Sequence, residues 1–293
     1  MDSARCKAFV ISAECGSFSK AAEILNYTPS GVSQLLNSLE EELNLQLLNR
    51  NKKGVSLTED GSTMLPLMRE FIKQENIIRQ TASEINGLVK GSIRIAAYPS
   101  IAIHWLPKVI KAFEQEYPHV EIRMMEGVHS ELCNWLNEGK ANLALMGYVD
   151  GMNYDWLPLA DDQMMAVLPP DHPRANDERF PIDACRNEKF IIPVMGQDPD
   201  VLAIFGKNGI EPNIQYSTLE NFAALSLVEQ GLGISIMNEL ITKNTSHNVV
   251  KLPLSPPEFI NFGIAVQSLD KLSPAVRRFI EYTVKYLTQA ERK

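Results

Sequence analysis

In "CKAFVISAECGSF", residues 6–18, Phe9, Val10 and Ala13 recur at helical spacing and Gly16 ends the run. Ser17 then caps a second helix, "FSKAAEILN", in which Ala21, Ala22, Ile24 and Leu25 make an apolar stripe. Thr28 as cap and Pro29 as first helical residue start a third helix. About two residues separate the second helix from the third, a turn short enough to force a steep crossing, which is helix-turn-helix geometry. On the third helix Val32, Leu35, Leu36 and Leu39 share one side, while Ser30, Ser33, Gln34, Asn37 and Ser38 share the other. "LNLQLLNRNKKGVSLTEDG" reads next as a strand, a basic turn and a second strand, a wing with Arg50, Lys52 and Lys53 at its tip.

From Thr58 a long helix is predicted to about Val89. Met64, Met68, Phe71, Glu75, Ile78, Ala82, Ile85 and Val89 alternate at spacings of four and three, a coiled-coil seam. Pro66 in its second turn is expected to kink the start or keep it irregular. The seam needs cover, either a second copy of the chain or the protein's own C-terminal domain. "GLVKGS" forms a hinge, and beyond it strand and helix patterns alternate. "SIRIAAY", "VEIRMME" and "ANLALMG" read as strands, with helices over "AIHWLPKVIKAFEQEY" and "SELCNWLNEG". A second unit begins near Gln163, with strands "MMAVLP", "KFIIPV" and "GISIM" and helices near "DVLAIFGKNG" and "LENFAALSLVEQG". "FINFGIAVQ" is expected to return the chain to the first unit before a closing amphipathic helix, "SPAVRRFIEYTVKYL". Such alternation predicts an α/β domain of two lobes with a largely parallel sheet.

Composition narrows the function classes. The net charge of −8 argues against a nonspecific nucleic-acid coat. Residues 1–58 are neutral, however: Arg5, Lys7, Lys20, Arg50, Lys52 and Lys53 balance Asp2, Glu14, Glu23, Glu40, Glu41 and Glu42. Half of those basic groups sit in "RNKK". Cys6, Cys15, Cys133 and Cys185 are too scattered for a disulfide framework, so buried reduced thiols are expected. No long apolar run suggests a membrane span. The start lacks the apolar core of a signal peptide, so the expected compartment is the cytoplasm. The five histidines share no metal-ligand spacing, and no G-x-S-x-G, P-loop or H-E-x-x-H occurs. "GLGIS" follows a helix and opens a strand, the reverse of a dinucleotide loop. No cofactor, metal or catalytic set is expected.

The neutral polar face of the third helix suits base readout, where short hydroxyls bond base edges and Asn or Gln pairs with adenine; a merely solvated face reads equally well from the wheel. Beside a helix-turn-helix, the basic wing favours phosphate or minor-groove contact.

Residues 5–62 closely resemble the winged helix-turn-helix of LysR-type transcriptional regulators. The likeness rests on "FVISAECGSFSKAAEILNYTPSGVSQLLNSLEEELNLQLLNR" followed by "GVSLTEDG". It extends through "YPSIA", "PPDHP" and "VEQGLGISIM" to an effector-binding domain shaped like periplasmic binding proteins. The family usually has Gln where Pro29 stands, Ala at Gly31 and often Arg at Gln34. The resemblance implies groove contacts from Pro29, Ser30, Ser33 and Gln34, with Arg50, Lys52 and Lys53 on the backbone or minor groove; the helix wheel adds Asn37.

The expected organisation is a DNA-binding domain over 1–58, a dimerisation helix over 59–90 and a two-lobed effector domain over 91–293. Parallel sheets bind ligands beyond the carboxyl ends of their strands. That places Ser100, Ile101, Gly127, Val128, His129, Gly147, Tyr148, Met195 and Thr218 at the effector site. Taken singly, Ser100 and Thr218 read first as helix caps, and His129 equally as a surface residue. Helix starts favour a carboxylate, whereas Asp150 and Glu220 would welcome an amine. The expected partners are double-stranded DNA, a small-molecule effector and further copies of the chain, as a dimer or tetramer through the linker helix and C-terminal domain. The alternative is a solute-binding protein with an N-terminal protein-interaction module.

Overall fold

A computed structural model describes residues 1–51, 54–87, 89–196 and 198–290. Two compact units form, Met1–Gly91 with the stretch Leu272–Ala275, and the rest of the chain from Ser92.

The first unit opens with α1 (Ser3–Cys15), α2 (Phe18–Leu25) and α3 (Pro29–Leu43). Their ends follow local chemistry. Ser17 and Thr28 accept from the backbone N–H groups of Lys20 and Gly31, and Pro29 opens α3. Gly16, Asn26 and Asn44 close the three helices in the left-handed region. Ala8, Ala21, Ala22 and Val32 form a small-residue seam that lets α2 approach its neighbours closely. Phe9, Leu36, Leu39, Leu47 and Leu48 make the larger core, which β1 (Leu48–Asn51) and β2 (Gly54–Leu57) edge as an antiparallel wing.

Thr58 caps α4 (Glu59–Ile85). The helix ends at Ile85 and not near Val89, because Asn86 and the left-handed Gly87 stop it. It runs unbroken through Pro66, contrary to the expected irregularity. The missing N–H deprives only the carbonyl of Ser62, a residue exposed to water.

The expected seam divides between two faces. Met68 is buried in the winged-helix core, and Met64, Leu65 and Ile72 pack against it. Glu75 turns to α1, where it pairs with Lys7, while Arg79 pairs with it along α4. These hydrogen bonds pull the Glu75 carboxyl down to about 2. Leu67, Phe71, Ile78 and Ile85 remain exposed as a separate stripe.

The second unit is α/β with two lobes. The first holds β3 (Gly91–Ala97), α5 (Pro99–His104), α6 (Leu106–Glu116), β4 (Val120–Glu126), α7 (His129–Asn137) and β5 (Leu143–Gly147). The single helix expected over 102–117 is two, because Pro107 opens α6. The chain crosses on β6 (Asp155–Leu168), which passes β7 (Phe180–Pro181) into the second lobe. That lobe contains β8 (Lys189–Ile192), α8 (Pro199–Lys207), β9 (Asn213–Ser217), α9 (Asn221–Glu229), β10 (Ser235–Asn238), α10 (Glu239–Thr242) and β11 (Val250–Ser255). Strand β12 (Phe259–Val266) returns the chain, and α11 (Pro274–Ala290) closes it by setting Phe279 edge-on to Phe113 of α6.

The sheet order is β4-β3-β5-β12-β6-β11-β7, with β10 also on β6. It is mixed and not largely parallel. The return strand β12 runs antiparallel to both β5 and β6, and β10 and β11 run antiparallel to β6. The β3–β5 and β11–β7 ladders and the separate β8–β9 pair run parallel.

Candidate nucleic-acid interface and ligand cleft

The outer face of α3 carries Pro29, Ser30, Gln34 and Asn37 exposed, with Ser33 half-buried between them. Val32, Leu36 and Leu39 on the opposite face are fully buried, so the helix cannot turn the polar set inward. At Gly31 an added Cβ would lie 3.2 Å from Thr28 Oγ1, a tight contact that the capping hydroxyl would have to yield to by a few tenths of an ångström. Lys52 and Lys53 lie outside the described residues.

Arg50 is not at the tip of the wing. It sits opposite Val55 in β1, one pair before the turn, and its guanidinium lies back against α3. Nη2 donates to Asn37 Oδ1 at 2.6 Å and to Glu40 Oε2 at 2.8 Å, and Nη1 donates to Ser33 Oγ at 3.4 Å. The cation also stands 5.4 Å from the centre of the Phe18 ring. Glu40 is held in turn, its Oε1 accepting the N–H groups of Leu47 and Leu48 at 2.7 and 3.1 Å. Reading each basic residue as solvent-facing misses this clamp, because its acid is one of three consecutive glutamates in "EEE".

In the second unit the ends of β3 and β5 meet the start of α8. Tyr98 caps the end of β3, donating its N–H to Leu145 O. Its hydroxyl lies 3.1 Å from His129 Nδ1, whose ring also approaches Cys133 Sγ at 3.5 Å. Burial lowers the His129 pKa and favours the neutral imidazole, whose tautomer sets which of the two groups donates. Gly147 closes β5 against the other lobe: a Cβ there would lie 2.9 Å from Ile260 Cγ2 and 3.3 Å from Asp200 Oδ1.

Two carboxyls not foreseen from the sequence therefore face the first lobe. Asp198 caps α8, accepting from Asp200 and Val201 N–H at 3.1 and 3.3 Å. Burial pushes Asp200 up to about 7, with the Asp198 charge adding to it; among the described residues no cation offsets either. The same two carboxyls, after burial, keep the Tyr98 hydroxyl protonated. "DPD", an N-cap aspartate followed by proline at the first helical turn, is the signal that marks this end.

The expected cleft residues divide. Gly147 and half-buried Thr218 stand at strand ends, and Tyr148 is exposed with its ring edge-on to Trp156. Ser100 is nearly buried in a six-residue helix, and Ile101 has no exposed surface. Gly127 is crowded by Glu131 and Trp135, and the Val128 N–H is taken by Glu131. Thr218 is not the α9 cap; that place belongs to Glu220, whose carbonyl the Thr218 hydroxyl bonds. Met195 lies on a short 3-10 turn, Val194–Gly196, and its side chain lies outside the described residues.

Comparison with known proteins decides the family. The LysR substrate binding domain model matches residues 86–288, and the model for the bacterial regulatory helix-turn-helix protein, lysR family, matches residues 4–62. The chain belongs to the LysR family. The HTH-type transcriptional regulator YvbU of Bacillus subtilis (strain 168) is 30% identical over 94% of this chain and 95% of its own. The full-length regulator CbnR, solved with its target DNA, superposes with a TM-score of 0.66 at 19% identity, over 98% of this chain and 100% of its own. The effector-binding domain of QuiR, solved with shikimate, superposes at 0.61 with 22% identity, over 68% of this chain and 98% of its own.

LysR regulators bind DNA and small-molecule effectors and act as oligomers. In this LysR-family chain Cys6 and Cys185 are buried, and burial raises the Cys6, Cys133 and Cys185 thiols, Cys185 to about 12. That environment disfavours the thiolate, the reactive form of each. Among the described residues no group of three His, Cys, Asp or Glu is placed to hold a metal, and no helix is long and apolar enough to cross a membrane.

Proposed function

We propose that this LysR-family protein is a cytoplasmic, sequence-specific transcriptional regulator and not an enzyme. It reads DNA with the outer face of α3 and responds to a small molecule held between the lobes of its C-terminal unit. The arrangement that carries this reading is a winged helix-turn-helix, neutral and exposed along one helix, in the same chain as a two-lobed α/β unit. Pro29, Ser30, Ser33, Gln34 and Asn37 meet base edges, while Lys52 and Lys53 meet phosphates. A solute-binding protein would leave that face and the wing without a role.

For the effector, the desolvated Asp200 favours a positive group. An ammonium supplies the charge that the cleft lacks, whereas a lone carboxylate would face Asp198 and Asp200. Two backbone donors that would hold a carboxylate are already used, Val128 N–H by Glu131 and Thr218 N–H by Ile192. An amino-acid-like effector fits these groups better than a simple acid.

The first test is binding to the DNA upstream of the protein's own gene, against scrambled competitor and across salt. Specific binding is expected to weaken by about a thousandfold between roughly 50 and 200 mM salt. Binding no tighter than to the scrambled fragment would remove that fragment as operator, and failure across genomic DNA would remove the reading.

The exposed stripe Leu67, Phe71, Ile78 and Ile85 supplies the dimer contact. Ile78→Asp is expected to weaken self-association at least tenfold in sedimentation while leaving the monomer folded, since Ile78 is exposed within the chain. An unchanged sedimentation profile would move the dimer contact elsewhere.

A further inference from the structure

We propose that Arg50 fixes Asn37 as a donor-only reader, so that Asn37 selects guanine and not adenine at its base pair. This rests on the reading of α3 as the groove helix.

A guanidinium carries donors and no acceptor, so only the oxygen of Asn37 can face it. The 2.6 Å contact from Arg50 Nη2 therefore sets which way the amide points. Its Nδ2 group, with two hydrogens, is left for the groove. Adenine presents N7 as acceptor beside a donor at N6, and its paired recognition requires the amide oxygen as well. That oxygen is already engaged in a charge-assisted bond. Guanine presents two acceptors, N7 and O6, and no donor on the same edge. A two-hydrogen donor matches guanine and leaves adenine N6 unpaired.

The clamp is held from both sides. Arg50 also donates to Glu40 Oε2 and lies on the Phe18 ring, while Glu40 Oε1 takes the Leu47 and Leu48 N–H groups. The Glu40 side chain is only 15% exposed, so this acid does not leave for solvent easily. Ser33, one turn before Asn37, receives the other arm of Arg50 at 3.4 Å and is left with its O–H to donate. Arg50 acts here as a positioning residue: a wing side chain that sets the hydrogen-bonding polarity of the reading helix.

The test is selection of bound sequences from a randomised duplex pool by the full-length protein. Asn37→Ala identifies the base pair that Asn37 reads, as the column that loses its preference. In the wild type that column is expected to hold guanine over adenine by about tenfold. Arg50→Met frees the Asn37 oxygen and shifts the same column toward adenine, with other columns unchanged. Because Arg50→Met can also loosen the wing, Asn37→Asp gives an independent readout. It keeps the bond to Arg50, removes the donors, and is expected to exchange guanine for cytosine, whose N4 is a donor. Adenine in the wild-type column, or guanine retained in Asn37→Asp, overturns the proposal while leaving α3 as the reader. No enriched motif in the wild type, or no column altered by Asn37→Ala, overturns the groove-helix reading itself.

Discussion

Gly61→Ala is expected to lower the melting temperature of the N-terminal unit by about 10 °C or more while leaving the C-terminal unit's transition in place. Gly61 lies in the first turn of α4, fully enclosed, and a Cβ on it would stand 2.0 Å from the carbonyl oxygen of Leu47. The obstacle is backbone, so no side-chain rotation relieves it. Alanine would gain about 1 kcal/mol in helix propensity. Against that stands the displacement of a whole chain segment, about 3 kcal/mol or more.

The segment is also a node of hydrogen bonds. Thr58 Oγ1 takes the Gly61 N–H at 2.9 Å and donates to Gln46 O at 2.6 Å. Thr58 N–H donates to Leu47 O, and Glu40 takes Leu47 N–H. Pushing α4 away from Leu47 strains these bonds together and disturbs the support behind Arg50. The readouts separate by position: Trp105, Trp135 and Trp156 all lie in the C-terminal unit, whereas far-ultraviolet dichroism sees both units. A dichroism melt that gains an earlier transition, with an unchanged tryptophan-fluorescence melt, is the expected pair. Unchanged dichroism together with unchanged DNA affinity would mean that the close approach at Leu47 carries no weight.

The helices around that node were legible because their ends are written locally. Ser17, Thr28, Pro29 and Thr58 act within three residues of themselves. Sheet direction is not local. Nothing in "FINFGIAV" shows that β12 runs antiparallel to both neighbours, since alternation is the same in either direction. Strand β9 escaped because all five of its residues are exposed and show no buried face. Half of β6 escaped because "DWLPLADD" mixes proline with acids, yet Trp156 and Leu157 pair there with β12. The arm shows the limit of a periodic pattern: spacing finds apolar positions without saying which neighbour covers them, and Met68 went to the core while Ile78 did not. The clamp on α3 and the pair at α8 escaped for a related reason. A charge in a sequence carries no address, and Arg50 and Glu40 meet only once the wing folds back on the helix.

Asp200→Asn is expected to remove the Asp200 contribution to the pH dependence of the C-terminal unit's stability and to remove most of its affinity for an amine-bearing effector. An aspartate in an unfolded chain titrates near about 4, and here burial holds Asp200 at about 7. Between those values the folded carboxyl keeps a proton that the unfolded chain has released, so raising the pH through this window draws the equilibrium toward unfolding. The stability attached to the proton is complete below about pH 4 and is lost by about pH 7. The full shift corresponds to about 4 kcal/mol as an upper bound, and about 2 kcal/mol is the expected observable part. Asparagine cannot ionise, so the variant gains relative to wild type at pH 8 and not at pH 4. Effector binding runs the other way. An ammonium pairs with the ionised carboxyl, so amine affinity rises from about pH 6 to pH 8 in the wild type, and Asp200→Asn costs about 2 kcal/mol or more, near thirtyfold. Isothermal titration of an amino-acid panel beside matched amines and acids, at both pH values, separates the classes. Affinity that falls with pH and survives Asp200→Asn would assign the cleft to a carboxylate, because a negative ligand binds best while Asp200 still holds its proton.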